Sequence, residues 1–557
     1  MRIAVLALFL LAACSGPKDE TSGPVQPIAA KVFSGGTIYT GLEGAEIVET
    51  VAVGADGRIL WTGLSADLEA AIDTSSSEMI SLDGAVMFPG LTDAHAHLFG
   101  IGERELTLDL TDIASIEALV AGIESEIEDL EPGIVLVGRG WIETAWPEGR
   151  MPLASDLDDV SPDNPVILVR SDGHAMVINT AALNAVGIGV DTSAPVGGRI
   201  ERDEENNATG IIIDNAMSLV TDLISIPSET EALNTLAKGA EVYVSRGWTG
   251  MHNMSVDPAH APLLERLDNE GKLPLRLHNA YDEVGFEIAA RRRYETDTIT
   301  NRAVKIYIDG ALGSRGALLT EPYTDRPEEK GLSLRSGAQT QSLLLAARQR
   351  NVQIAIHAIG DLGNRRALDW MEAVEHNMAS APPDKRWRIE HAQILHAEDI
   401  PRFAELGVIA SMQPSHAIGD LHFAEDRLGL DRLEGAYAWR AIIDAGGVLA
   451  GGSDAPVEVG SPLIEFYAAV ARKDMTGFSG AGWHPEQAVT REEALKMFTV
   501  WPAFASFQEN ELGTIEVGKL ADFSVFDTDL MTVPEAEILE AEAVMTVIGG
   551  DVVWRAN

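Results

Sequence analysis

The sequence predicts an α/β protein organised around a closed eight-stranded parallel barrel, a (β/α)8 architecture, with a composite β-sandwich formed from both chain ends. Three observations predict it. Between residues 89 and 505, eight short apolar runs alternate with helix-forming stretches, the pattern of parallel strands joined by crossover helices. Several of these runs end in His, Lys or Asp, and the working end of such a barrel is the C-terminal end of its strands. Strand-and-turn texture recurs at 30–88 and 506–557, in pieces too small to be stable alone.

Arg2 precedes the apolar run Ile3 to Ala13, which closes in Leu11-Ala12-Ala13-Cys14. A basic start, a short apolar core and small residues before a cleavage point predict a signal peptide over 1–13. Leu-Ala-Ala-Cys resembles a bacterial lipobox, in which the cysteine becomes the lipidated first residue. Residues 14–29 then form a lipidated tether, and membrane association is expected through Cys14. Ser15 after the cysteine favours, by the same resemblance, the outer membrane. The expected location is the cell envelope, as a lipoprotein facing the periplasm. Cys14 is the one cysteine, which excludes structural disulfides and a cysteine-ligated zinc. The net charge of -45, from 86 acidic and 41 basic residues, argues against a nucleic-acid partner, which needs a basic footprint. A small-molecule substrate is the expected partner, and oligomeric state leaves no readable signal.

The first part of the sandwich, 30–88, holds runs at Val32 to Tyr39, Val51 to Gly54 and Ile59 to Trp61, with Asp56-Gly57 as a turn. The second part, 506–557, carries Ala521 to Phe526 and a hairpin from Val544 to Trp554 through Gly549-Gly550. The barrel region, 89–505, is an insertion between them. Its strands are the segment ending in His95-Ala96-His97, then runs at 250–254, 273–278, 303–308, 352–357, 387–391, 407–413 and 447–454. About 150 residues separate the first two, far more than one crossover helix needs. Residues of about 100–240 therefore read as a large α/β insertion after the first barrel strand. It has strands at 134–137 and 165–169 and helices at 179–186 and 215–223.

Alternate residues of an extended chain point the same way, so His95 and His97 can face one point. Lys305, His357, His391 and Asp454 stand at the ends of other runs. Together the six predict one site for a divalent metal, Zn2+ first. Four imidazoles, a carboxylate and a lysine exceed what a structural zinc needs. Two metals, or one metal and a dedicated base, explain the surplus. Asp454 can ligate metal, accept a proton from water and return it to a leaving nitrogen. Lys305 lies in the apolar run Val304 to Ile308, where an unpaired ammonium is costly or loses its proton more readily. Two resolutions stand open: a salt bridge to Asp309 or Glu390, or reaction with carbon dioxide to a metal-bridging carbamate.

The ordered motifs Pro89 to His97, Gly138-Arg139-Gly140-Trp141, Ser171-Asp172-Gly173-His174, Lys305 with Asp309-Gly310 and Gly313-Ser314-Arg315, Ile356 to Asp361, Ile389-Glu390-His391, Gln413-Pro414 and Gly452 to Pro456 resemble the amidohydrolase superfamily. Within it they look like amidohydrolase family 3, the YtcJ-like and N-substituted formamide deformylase-like branch. The resemblance spans roughly residues 30–557 and implies a TIM barrel. It implies His95, His97 and Asp454 at a first metal, His357 and His391 at a second, and Lys305 at the place of a carbamylated bridging lysine. It makes the insert a substrate cover. His174 is then a catalytic and substrate-contacting candidate steadying the developing oxyanion, against a surface histidine in an Asp-Gly turn. Trp141 is a pocket wall or a core aromatic. Arg315 meets a substrate carboxylate or pairs with Asp309 or Glu321. Gln413 is a further substrate candidate. The chain departs from the family pattern at His252-Asn253-Met254, which bears on the pocket floor. The implied function is metal-dependent hydrolysis of a non-peptide carbon–nitrogen bond in an amide, N-formyl amine or cyclic imide. A deaminase, esterase or dipeptidase on the same scaffold, or a non-catalytic metal-containing binding lipoprotein, is the alternative.

Overall fold

A computed structural model describes residues 26–43, 46–111, 113–128, 130–224, 226–292, 294–376, 384–480 and 483–556. The signal peptide, Cys14 and most of the tether lie outside the described residues.

Eight parallel strands follow one another in chain order around the barrel. They are β1 (Leu91–Ala96), β2 (Trp248–Val256), β3 (Arg276–Tyr281), β4 (Ile299–Tyr307), β5 (Gln353–Ala358), β6 (Arg388–His391), β7 (Ile409–Met412) and β8 (Leu449–Gly451). Strands covered on both faces read as nearly continuous apolar runs; β5 and β6 are buried at every residue.

Among the described residues, β1 and β8 share no ladder. The gap is closed by Asp93, buried in β1. Its Oδ1 accepts from the backbone N–H groups of His95 and Ser453, both at 3.0 Å, and its Oδ2 from Ser453 Oγ at 2.6 Å and Tyr243 OH at 3.0 Å. Asp454 N donates to the His95 carbonyl at 2.6 Å, and His97 N to that of Ala455 at 2.8 Å. The closure therefore also fixes Asp454 against the His95–His97 pair.

Both chain ends enter one eight-stranded sheet. Its seam pairs Phe523–Phe526 antiparallel to Val86–Pro89, with Phe523 opposite Pro89 and Phe526 opposite Val86. The chain leaves this sheet at Gly90 and becomes β1 at once. A Cβ at Gly90 would lie 2.3 Å from Thr249 Oγ1, so only glycine allows this close passage. Arg276 of β3 joins barrel to sheet through Asp522, with N–O distances of 2.5 and 2.8 Å and both side chains buried.

The insertion forms a six-stranded sheet from Leu108–Asp109, Leu136–Trp141, Val166–Arg170, Ala175–Ile178, Gly198–Arg202 and Ala208–Asp214. Asn179 caps the helix Thr180–Val186 through the Ala182 N–H. The helix expected at 215–223 is instead two 3-10 segments, Asn215–Leu219 and Thr221–Leu223. A capping box at Ser228 and Glu231 starts the helix Glu229–Ser245, which crosses Leu98–Arg104 with glycines on both sides. A Cβ at Gly102 would lie 1.9 Å from the Thr235 carbonyl, and one at Gly239 would lie 2.3 Å from that of Leu98. This contact holds the segment that follows His97.

Candidate metal centre

At the C-terminal mouth of the barrel, His95, His97, Lys305, His357, His391 and Asp454 converge. The ring centroids of His95 and His391 are 4.8 Å apart, and those of His357 and His391 4.5 Å apart. Two overlapping groups have donor atoms within 4.8 Å of one another: His95, His97 and Asp454, and His391, His416 and Asp454. His391 has φ +74° and Asp454 φ +60°, backbone that costs a non-glycine residue about 1–3 kcal/mol and recurs at functional sites.

The imidazoles are oriented from behind. His95 Nδ1 donates to Glu390 Oε2 at 2.6 Å, His97 Nδ1 to the Met254 carbonyl at 3.0 Å, and His391 Nδ1 to Gln413 Oε1 at 2.9 Å. Each ring therefore carries its proton on Nδ1 and bears a lone pair on Nε2, the tautomer of a metal ligand with an outer partner. His357 turns Nε2 to Asp309 Oδ1 at 3.6 Å, beyond hydrogen-bond reach, leaving Nδ1 as its second nitrogen. Asp309 itself accepts the backbone N–H groups of Leu318, Ile359 and Gly360. Burial nonetheless pushes its carboxyl up to about 7.

The Nε2 atoms of His95 and His97 lie 3.3 and 3.1 Å from Asp454 Oδ1. In these tautomers, lone pairs face a carboxylate oxygen, an arrangement that a cation between them would satisfy. Lys305 Nζ is 3.2 Å from His95 Nε2, and among the described residues no equivalent group is placed against His97. The donor set thus fits a divalent metal. Burial holds the pKa of His97, His357 and His391 down, which favours neutral, ligand-competent rings. Only if protonated would His95, His97 and His391 hold Asp454 below the ordinary carboxylate value against the cost of its burial.

Lys305 meets neither carboxylate proposed for it. Its contacts are His95 Nε2 and the Tyr307 ring, 4.7 Å from Nζ to the centroid. Burial lowers its pKa to about 8. His174 lines the same cavity, with its ring 5.0 Å from His357 and Nδ1 2.7 Å from Asp214 Oδ1. Burial opposes protonation of His174, but Asp214, with Asp172 and Asp454, outweighs it and raises the pKa.

Three substrate candidates lie elsewhere. Trp141 is a core aromatic: fully buried, it donates its indole N–H to the Leu168 carbonyl at 2.9 Å. Arg315 pairs with Asp325 at 3.2 and 2.7 Å, rather than with Asp309 or Glu321. Gln413 stands behind His391 and orients it. The departure at the second strand also acquires a role. His252 accepts from Arg388 at 2.7 Å, Asn253 Oδ1 accepts the Leu98 N–H at 3.0 Å, and the Met254 carbonyl holds His97.

Sequence reasoning missed His416, buried with Nε2 3.7 Å from Asp454 Oδ2. Gln393 Nε2 donates to its Nδ1 at 3.0 Å, which puts the proton of a neutral ring on Nε2, facing Asp454. It stands three residues past Gln413, and that spacing was the available signal. Glu390, behind His95, and Arg139, on the cavity wall, stand in motifs that do not by themselves assign these roles.

The cavity over the cluster has a volume of about 970 Å3 and a largely apolar flank that includes Phe99, Ile224, Met254 and Leu263. Comparison with known proteins agrees with this geometry. The model of the Amidohydrolase family matches residues 78–554. YtcJ of Bacillus subtilis (strain 168) is 34% identical over 532 residues, covering 94% of this chain and 99% of that protein. N-substituted formamide deformylase of Arthrobacter pascens is 29% identical over 515 residues, covering 89% and 93%. The solved structure of an uncharacterized metal-dependent hydrolase from Pyrococcus horikoshii OT3 is 26% identical, covers 91% of this chain and 99% of its own, and superposes with a TM-score of 0.74. A family match across most of the chain, and a relative aligned almost end to end, establish that this protein belongs to the amidohydrolase family.

Proposed function

We propose that the protein hydrolyses a non-peptide carbon–nitrogen bond of a small molecule, an amide, N-formyl amine or cyclic imide, with one or two divalent metals, Zn2+ first. The observation that carries the reading is the set of imidazole lone pairs turned on Asp454, each ring fixed from behind. A divalent metal held by His95, His97, His357, His391 and Asp454 supplies Lewis acidity and makes water more acidic.

The remaining work falls to side chains. Asp454 accepts the proton of the attacking water and delivers it to the leaving nitrogen. His174, held by Asp214, donates from Nε2 to the oxygen that gains charge as the carbonyl is attacked. His416 offers its Nε2–H on the Asp454 side. Lys305, its pKa lowered to about 8 by burial, reaches the neutral amine easily, and the neutral amine is the form that adds carbon dioxide to give a carbamate ligand. Lipidation at Cys14 and placement in the cell envelope belong to the same proposal, and radiolabelled palmitate incorporation lost in Cys14→Ala checks them.

The test is a panel of N-formyl amines, amides and cyclic imides offered to the zinc-loaded protein, with amine, ammonia and alcohol products identified separately. Release of amine and acid supports the reading. Protein that holds stoichiometric metal and turns over none of the panel refutes it. Anomalous scattering counts the metals, and the 13C NMR signal of the native protein after equilibration with 13C-labelled carbon dioxide, absent in Lys305→Ala, reads the carbamate.

A further inference from the structure

We propose that Arg139 is the anchor for a substrate carboxylate, so that the compound hydrolysed is an N-acyl or N-formyl amine bearing a carboxylate and an apolar group. The inference rests on the reading above for the reaction, but on separate observations for the carboxylate.

Arg139 projects from Leu136–Trp141 of the insertion sheet into the cavity that holds His97, His174, His391 and Asp454. Its Nε is buried and without a hydrogen-bond partner. Among the described residues its one hydrogen bond, a long one, runs from Nη2 to the Ser171 carbonyl at 3.4 Å. Glu103, Asp172 and Asp454 all act on it electrostatically, but among the described residues none is ion-paired with it. Asp172 pairs with Arg170 Nη1 at 2.6 Å, and Asp454 faces His95 and His97. Acidic residues outnumber basic ones 86 to 41 in this chain, so a cavity arginine without a salt bridge is not explained by scarcity of partners.

The guanidinium is also placed. Gly173, at φ +69°, lies against it, and a Cβ there would be 3.1 Å from Nη2. A side chain at 173 would crowd the group that glycine admits. Burial lowers the pKa of Arg139, an unfavourable environment that an incoming anion relieves. Arginine presents a planar fork matched to a carboxylate. The rest of the wall sets the other end of the ligand. Phe99 stacks on His260 with centroids 4.4 Å apart, and Ile224, Met254 and Leu263 continue an apolar lining. N-formyl derivatives of apolar amino acids fit this combination of groups.

The test is a matched pair, N-formylphenylalanine and N-formyl-2-phenylethylamine, which differ by one carboxylate. For the zinc-loaded full chain, kcat/KM favours the acid by about 10–100-fold, the range of one charge-assisted contact. Arg139→Gln collapses that ratio towards one, and Arg139→Lys keeps part of it, since an ammonium lacks the fork. A wild-type ratio near or below one overturns the proposal, as does a ratio retained in Arg139→Gln. Calorimetry with 3-phenylpropanoate and 3-phenylpropanol gives a readout without turnover. If neither formamide is hydrolysed, the N-formyl amine is overturned as the substrate class, while binding of the acid still decides the role of Arg139. A carboxylate held by the metal instead would bind Arg139→Gln unchanged, and that result also overturns the proposal.

Discussion

The Asp93 carboxylate that joins β1 to Ser453 yields the sharpest prediction about stability. It is fully buried and accepts four hydrogen bonds, two from backbone N–H groups and two from hydroxyls. Asp93→Ala orphans all four donors. Each orphaned buried donor costs about 1–3 kcal/mol, but the sum is not realised in full. Burial pushes the Asp93 carboxyl up to about 6 despite its four donors, so removing the charge returns part of a desolvation cost. The expected loss for Ala is about 3–5 kcal/mol, as for other broken buried networks. Asp93→Asn keeps an acceptor oxygen and sheds the charge, and Ser453 Oγ and Tyr243 OH can each accept from its amide. Its expected loss is about 1 kcal/mol. Calorimetric melting of the zinc-loaded protein reads the difference, with Ala lower in Tm by roughly 3–4 °C and Asn close to wild type. Because Asp454 N bonds the His95 carbonyl beside this closure, Ala also speeds zinc loss to a chelator. Equal melting of Ala and wild type, or Asn as damaging as Ala, would refute the account of Asp93 as a four-acceptor clasp.

Other consequences are local. Gln413→Leu frees His391 Nδ1, and zinc affinity, read by competition with a chromophoric chelator, is expected to fall about 10–100-fold. Asp420 receives the Tyr437 hydroxyl, and burial raises its carboxyl from the ordinary 3.8 to about 7. A carboxyl raised in the folded state stabilises fully below its unfolded pKa and loses that contribution as pH rises through the folded value. The wild type should therefore lose about 2 kcal/mol relative to Asp420→Asn between about pH 5.5 and 8, read as diverging urea midpoints.

Most of the barrel is legible in the sequence because its strands are buried on both faces, and each reads as an apolar run broken by a polar residue at its end. Lys305, His357 and His391 announce themselves in this way. His416 does not: it lies in the helix Pro414–Asp420 beyond β7, where no period distinguishes a site residue from a packed one. Trp141 and Arg139 are two residues apart on one strand. The sequence leaves the aromatic open between pocket wall and core; the indole is in the core and the guanidinium is in the cavity. On a regular strand the two would share a face, but the ladder shifts register between them at Gly140, φ +119°, and such a bulge re-aims a side chain. Arg315 finds Asp325 because the loop after β4 folds back, and a pairing set by loop path is equally silent. Residues 215–223 have helical composition, but they form short 3-10 turns between the insertion sheet and the helix Glu229–Ser245.

An anionic substrate also has to approach a chain whose net charge is -45, and here two electrostatic effects oppose one another. The field of the whole molecule repels a carboxylate over a distance set by salt, about 30 Å at 0.01 M and about 10 Å at 0.1 M. The Arg139 contact is short-ranged and enclosed, so salt screens it far less. Encounter and final binding should therefore respond differently. As salt rises from about 10 to 150 mM, kcat/KM for N-formylphenylalanine is expected to increase, on the order of several-fold, as repulsion is screened. That for the neutral formamide should stay flat. The rise should persist in Arg139→Lys, because the long-range field is unchanged, even though the absolute value is lower. If kcat/KM for the acid instead falls with salt, a locally positive field at the cavity mouth outweighs the global charge. The carboxylate would then be steered from outside, and a single enclosed guanidinium would not explain its recognition.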